Sequence, residues 1–140
     1  FIASRGRGAQ LNGHRIRVGS RHQLTDSLVG TGVPFFGHCD EQLDWYTQSL
    51  AAITSRSMGV RRAGAASLDL AYVAAGRLDG FWEMGLNQWD IAAGALLVRE
   101  AGGLITDLSG GEGWYDSGNV VCGNSKLMRQ LLPLVKWSAA

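Results

Sequence analysis

An α/β fold with a largely parallel sheet flanked by helices is what this sequence predicts, and three observations predict it. From Ser27 onward, strand-like and helix-like segments alternate in the order β-α-β-α-β-α-β-β-α. The stretch from Phe81 to Gly103, FWEMGLNQWDIAAGALLVREAGG, reads as strand, loop and helix in unbroken succession. Its helical part is apolar on nearly every side, as befits a buried helix.

Composition agrees with a domain of that kind. A chain of 140 residues, 46% of them apolar, has enough material for one core. The net charge of +1 gives no strong field toward nucleic acid or an acidic partner; Arg5, Arg7, Arg15, Arg17 and Arg21 cluster early and read as a solvated strand face. Cys39 and Cys122 make no disulfide framework and read as reduced, buried small hydrophobes, which favours a cytoplasmic setting. No apolar run reaches the ~18 residues that cross a bilayer, and no signal-peptide pattern opens the chain. Phe1-Ile2-Ala3 reads as the middle of a strand cut open, so the chain is expected to be a fragment.

The first segment, residues 1–23, reads as antiparallel. Phe1 to Ser4 and Ala9 to Leu11 are strand-like around Gly6-Arg7-Gly8, and Asn12-Gly13 is a hairpin turn before His14 to Val18. Residues 24–140 form the α/β part. Ser27 to Thr31 is a strand ended by Gly32 and Pro34, since proline removes a donor. Asp40 to Ser57 is an amphipathic helix, with Leu43, Tyr46, Leu50 and Ile53 at spacings of three and four. Gly59 stops it, and Val60 to Ala63 is a short strand.

The next helix opens on small residues after Gly64 and runs to Gly76. Ala65 and Ala66 there allow a ligand to approach exposed N–H groups, or simply pack the helix closely on the sheet. Asp69 falls in mid-helix and is expected to be hydrogen-bonded within the fold. Phe81 to Met84 is a strand, and Gly85 to Gln88 permit a turn. Asp90 stands where a helix N-cap belongs, at a strand-to-helix corner; it is either a cap or a ligand at the carboxyl end of a strand, where open α/β sheets place their sites. Leu104 to Asp107 is a strand, Ser109 to Gly118 a glycine-rich loop, and Asn119 to Asn124 the last strand. Ser125 is expected to cap a final helix through Leu132, broken by Pro133.

One match is specific. Trp89-Asp90-Ile91-Ala92-Ala93-Gly94, followed by Leu97-Val98-Arg99-Glu100-Ala101-Gly102-Gly103, resembles the C-terminal signature of the inositol monophosphatase family, Mg²⁺-dependent and Li⁺-sensitive phosphomonoesterases. The likeness runs upstream without a gap through Arg61 to Ala66, Leu68 to Arg77 and Asp79-Gly80, and covers essentially the whole chain. It implies the C-terminal half of a layered α/β/α/β/α sugar-phosphatase fold, with the hairpin belonging to the sheet of a first domain. It also implies that Asp90 ligates Mg²⁺ and helps orient the attacking water, that Glu83 accepts hydrogen bonds from substrate hydroxyls, and that Gly64, Ala65 and Ala66 contact the substrate's alcohol by their backbone. Such enzymes usually form homodimers.

The rest of that family's machinery, its Asp-Pro-Leu/Ile-Asp-Gly-Thr loop included, has no counterpart in residues 1–140, so the chain by itself is expected to be inactive. Other chemistries find less support. There is no Gly-x-Ser-x-Gly elbow, His14, His22 and His38 lack an i,i+4 partner, and neither Gly6-x-Gly8 nor Gly30-x-Gly32 has the later glycine of a dinucleotide loop. Inositol 1-phosphate is the expected substrate. Nucleotide 3′-phosphates, histidinol phosphate and fructose 1,6-bisphosphate are alternatives with the same chemistry. A further alternative, which the resemblance to bacterial members suggests, is a non-catalytic role with the transcription machinery.

Overall fold

The computed structural model describes residues 1–33 and 40–137. The expectations for Pro34, His38 and Cys39 fall outside them. A three-stranded antiparallel sheet comes first: β1 (Ile2–Ser4), β2 (Gly8–Leu11) and β3 (His14–Arg15), with the turn at Asn12-Gly13 in the left-handed conformation that hairpin requires. A single 3₁₀ turn (Leu24–Asp26) then leads into the alternation: β4 (Leu28–Thr31), α1 (Asp40–Arg56), β5 (Gly59–Arg61), α2 (Ala66–Ala74), β6 (Gly80–Glu83), α3 (Gln88–Glu100), β7 (Leu104–Thr106), the one-turn α4 (Trp114–Ser117), β8 (Val120–Gly123) and α5 (Ser125–Val135).

The second sheet has five strands in the order β5-β4-β6-β8-β7. It is mixed. β4 pairs in parallel with β5 and β6, whereas β8 pairs antiparallel with both β6 and β7. Four strands thus run one way and β8 runs against them. Residues 107–119, which join β7 to β8, hold only the one-turn α4 and no full crossover helix, and β8 comes back between β6 and β7 against both.

Alternation along the central strands divides the core. Phe81 faces a cluster with Leu70, Val73, Ile91 and Val98 of α2 and α3, while Trp82, the next residue, faces Tyr46, Ile53, Leu127 and Leu131 of α1 and α5. β8 repeats the division, with Val120 and Cys122 on the first side and Val121 on the second. Phe81 and Trp82 are wholly buried, each contributing on the order of 2–3 kcal/mol by area. The hairpin covers the outer side of α3: Ala9 enters the α2/α3 cluster, the Gly8 N–H donates to Glu100 Oε1 at 2.9 Å, and the Val18 N–H donates to the Ala101 carbonyl. From one side to the other the layers are therefore α1/α5, sheet, α2/α3, sheet.

Several expectations need correction in detail. α1 buries Trp45, Tyr46, Ser49 and Ile53, so its inner face is rotated from the expected one and Leu43 is 48% exposed. α3 buries Ile91, Gly94, Ala95, Leu97 and Val98 but leaves Ala92 and Ala93 exposed, because the elements packed on it, α2, the hairpin, β7 and α4, leave that side open. Asn124, not Ser125, caps α5, its side chain accepting from the Leu127 N–H at 2.8 Å. α5 also continues through Pro133 to Val135, held by the burial of Leu131 and Val135 on either side of the proline. Cys122 is a free, buried thiol, as expected, and burial pushes its ionisation well up. Among the described residues no helix is long and apolar enough to cross a membrane.

Candidate active site

β4, β5 and β6 are parallel, so their carboxyl ends lie together, and each of α2 and α3 begins just after one of those ends. Two helix N-termini and the exits of three strands converge there on a cavity of about 360 Å³. Asp90, Glu83, Gly64, Ala65 and Ala66 all line it, so every residue the sequence nominated is brought to one place.

Asp90 is not the N-cap. Asn87 takes that position, and Asp90 is the third helical residue, its Oδ2 accepting the Asn87 N–H at 3.1 Å while its own N–H donates to the Asn87 carbonyl. This is a capping-box arrangement, and Asn-x-x-Asp ahead of an apolar run is its legible sign. The consequence favours a ligand role: one carboxylate oxygen is fixed by backbone, which orients the half-buried group on its helix and leaves the other oxygen to the cavity.

Glu83 is 6% exposed at the exit of β6. Its carboxylate lies over Gly32, where any Cβ would overlap it, so Gly32 is glycine for room. Burial, and then the charges of Asp69 and Asp90, push its carboxyl up to about 7, with Arg62 pulling the other way. Gly64 is glycine for a different reason. It has φ +84° with nothing near its missing Cβ, and that left-handed turn delivers the chain into α2. Ala65 precedes α2 without a side-chain cap, so the N–H groups of Ala66 and Ser67, which have no intrahelical partner, are left for another acceptor.

The sequence did not single out Arg62, Asn87 or Gly32 as site residues, yet all three line the cavity. Gly30-x-Gly32 carried a signal of its own, since alternate glycines at a strand exit mark side chains that approach closely. Asp69 departs further from expectation. It is 1% exposed and was expected to be hydrogen-bonded within the fold, but neither carboxylate oxygen has a partner among the described residues. Burial pushes its carboxyl up to about 6.

As a metal site the donor set is partial. Carboxylate oxygens suit a hard cation, and Asp90 offers one free oxygen, but no group of three or more His, Cys, Asp or Glu side chains converges among the described residues. Magnesium is commonly held by only one or two carboxylates together with water and substrate phosphate, so Asp90 fits as one ligand of a set that needs others.

Comparison with known proteins gives a consistent answer. The model of the family described as "Inositol monophosphatase family" matches residues 1–138. A Pseudomonas aeruginosa protein named "Nus factor SuhB" is 53% identical over 136 residues, 97% of this chain and 50% of that protein. An "Inositol-1-monophosphatase" of Mesorhizobium japonicum is 48% identical over 136 residues, again 97% of this chain and 50% of the relative. Among solved structures, the extragenic suppressor protein suhB of Bartonella henselae superimposes with a TM-score of 0.91 at 43% identity, over 98% of this chain and 52% of that one. An IMPase of Thermotoga maritima gives 0.83 at 36%, over 95% and 49%. The chain spans about half the length of the relatives it matches.

Proposed function

This chain belongs to the inositol monophosphatase family, and from that premise we propose that the protein it completes is a Mg²⁺-dependent phosphomonoesterase releasing phosphate from inositol 1-phosphate or a similar polyol phosphate. The observation that carries this reading is the convergence of Asp90, Glu83 and the start of α2 on one cavity. When bound, a divalent ion supplies Lewis-acid polarisation and a water acidic enough to attack. The other roles fall to residues of this chain. Asp90, pinned by the Asn87 N–H, presents its free oxygen to the ion. Glu83 faces the alcohol end of the ester and takes hydrogen bonds from its hydroxyls. The Ala66 and Ser67 N–H groups, with Gly64 and Ala65 leaving the approach open, bind an oxygen of the same alcohol.

Residues 1–23 on this reading are part of a first domain's sheet, and the remaining ligands come from residues outside 1–140, so the chain alone turns over no substrate. Homodimerisation, inhibition by Li⁺ and a cytoplasmic setting go with the family, and the buried thiol of Cys122 is in keeping with the last. The test restores the chain to the length of its relatives and measures phosphate release from inositol 1-phosphate with and without Mg²⁺, beside nucleotide 3′-phosphates, histidinol phosphate and fructose 1,6-bisphosphate. Release that requires Mg²⁺ and fails in Asp90→Asn supports the reading; release indifferent to both rejects it.

A second reading has its own support, since the Pseudomonas aeruginosa relative carries the name of a Nus factor. On it the protein also acts with the transcription machinery, independently of turnover. Asp90→Asn would then abolish phosphatase activity and leave a cellular phenotype intact.

A further inference from the structure

Two carboxylates reach the chain at the end of β4, one over Gly30 within the strand and one over Gly32 just past it. Gly32 leaves room for Glu83, and Asp69 reaches the same side of the chain two residues earlier: a Cβ built on Gly30, though crowded by Leu78 and Phe81, would meet Asp69 Oδ1 at an ordinary contact distance of 3.6 Å. Positions i and i+2 of a strand share a side and are roughly 7 Å apart. Asp69 is outside the cavity that holds Asp90, yet it is buried behind Glu83 and has no hydrogen-bond partner among the described residues. A buried aspartate needed only for folding is expected to be paired. Among the described residues this one, in the first turn of α2 and not in mid-helix as its place in the sequence suggested, is not.

We propose that Asp69 is a positioning residue that acts through Glu83, deciding whether the Glu83 carboxyl meets a substrate hydroxyl as an acceptor or as a donor. The inference rests on the reading of Glu83 as the group that meets the alcohol. Two charges this close in a site largely closed to water repel, so the pair holds on to a proton that either acid alone would release. The groups facing Glu83 are Asp69 from α2, Asp90 from α3 and Arg62 from the loop after β5. Those facing Asp69 are Cys122 from β8 and the residues of a second cavity that it borders, Arg61, Arg62, Tyr72 and Arg77. Both acids are buried; burial alone displaces the Asp69 carboxyl upward, while for Glu83 the Asp69 charge adds to burial.

Asp69→Asn removes the charge at constant shape, and Asp69→Glu keeps it. In the protein restored to the length of its relatives, the acid limb of 1/KM for inositol 1-phosphate should move to lower pH in Asp69→Asn by about half a pH unit or more, as Coulomb's law gives for two charges roughly 7 Å apart, with kcat changing less than KM. Asp69→Glu should leave the limb near its original position. Independently of turnover, the Glu83 carboxyl carbon, followed by ¹³C NMR in metal-free protein, should titrate at lower pH in Asp69→Asn. If phosphatase activity fails altogether, that titration still decides: a downward shift supports the proposal. An unmoved Glu83 titration, or equal shifts in Asp69→Asn and Asp69→Glu, overturns it.

Discussion

The two ends of β6 hold acids of opposite use. At the amino end Asp79, 3% exposed, is committed to the fold: its Oδ2 accepts the Leu28 N–H at 2.9 Å, and its Oδ1 stands 3.6 Å from Arg21. At the carboxyl end Glu83 is almost as buried, yet it looks onto a cavity and is displaced toward its neutral form. The strand is the same and the burial similar. What differs, among the described residues, is whether a hydrogen-bond partner is supplied, and a buried acid without one is the kind that ligand sites hold.

Substitutions can break this contrast or sharpen it. The largest effect belongs to Asp90→Asn in the restored protein: phosphate release should fall more than about 100-fold, since even supporting groups around a metal are worth 10- to 100-fold, while chemical denaturation shows a loss no larger than that of a helix cap, about 1 kcal/mol. Glu83→Gln should stabilise the chain, by at most about 3 kcal/mol. The sign follows from a folded-state value of about 7 against an ordinary 4.5. Below 4.5 the acid is neutral folded or unfolded, and the substitution changes nothing. As pH rises through 7 the folded chain must carry a buried charge, and the gain from removing it becomes complete. Urea titrations at pH 4 and pH 8 read it.

Asp79→Ala should do the reverse, costing about 1–3 kcal/mol by leaving the Leu28 N–H without its acceptor, with KM in the restored protein little changed. The smallest effect is expected of Gly32→Ala. Its new methyl forces Glu83 aside, so KM should rise several-fold at a stability cost of about 1–2 kcal/mol; an unaltered KM would show that Glu83 does not meet the substrate where it now lies.

Much of this was legible in advance because it is written in local pattern. Phe81 to Gly103 reads as strand, loop and helix, and the alternation from Ser27 as the order of elements, all but the one-turn α4 (Trp114–Ser117) that lies in the expected loop of Ser109 to Gly118, since periodicity and glycine placement report backbone structure directly. The site residues named by family resemblance also come together. What escaped was set by contacts distant in sequence. Nothing in Val120 to Gly123 announces that it runs against its neighbours, nor does Pro133 reveal that Leu131 and Val135 hold the helix through it. Asp69 was misjudged because its environment comes from β4, whose glycine at position 30 lies thirty-nine residues away, and a lone acid in an apolar helix reads as satisfied until its surroundings are known. Asn87 is a plainer oversight, since its spacing from Asp90 already spelled a capping box.

α3 is anchored at both ends to different things. Its first turn carries Asp90, and its last grips the hairpin through Glu100 and Ala101, with 13 residues and so roughly 20 Å of stiff rod between them. One stiff rod thus fixes the distance between the small antiparallel sheet and a carboxylate that sheet never touches.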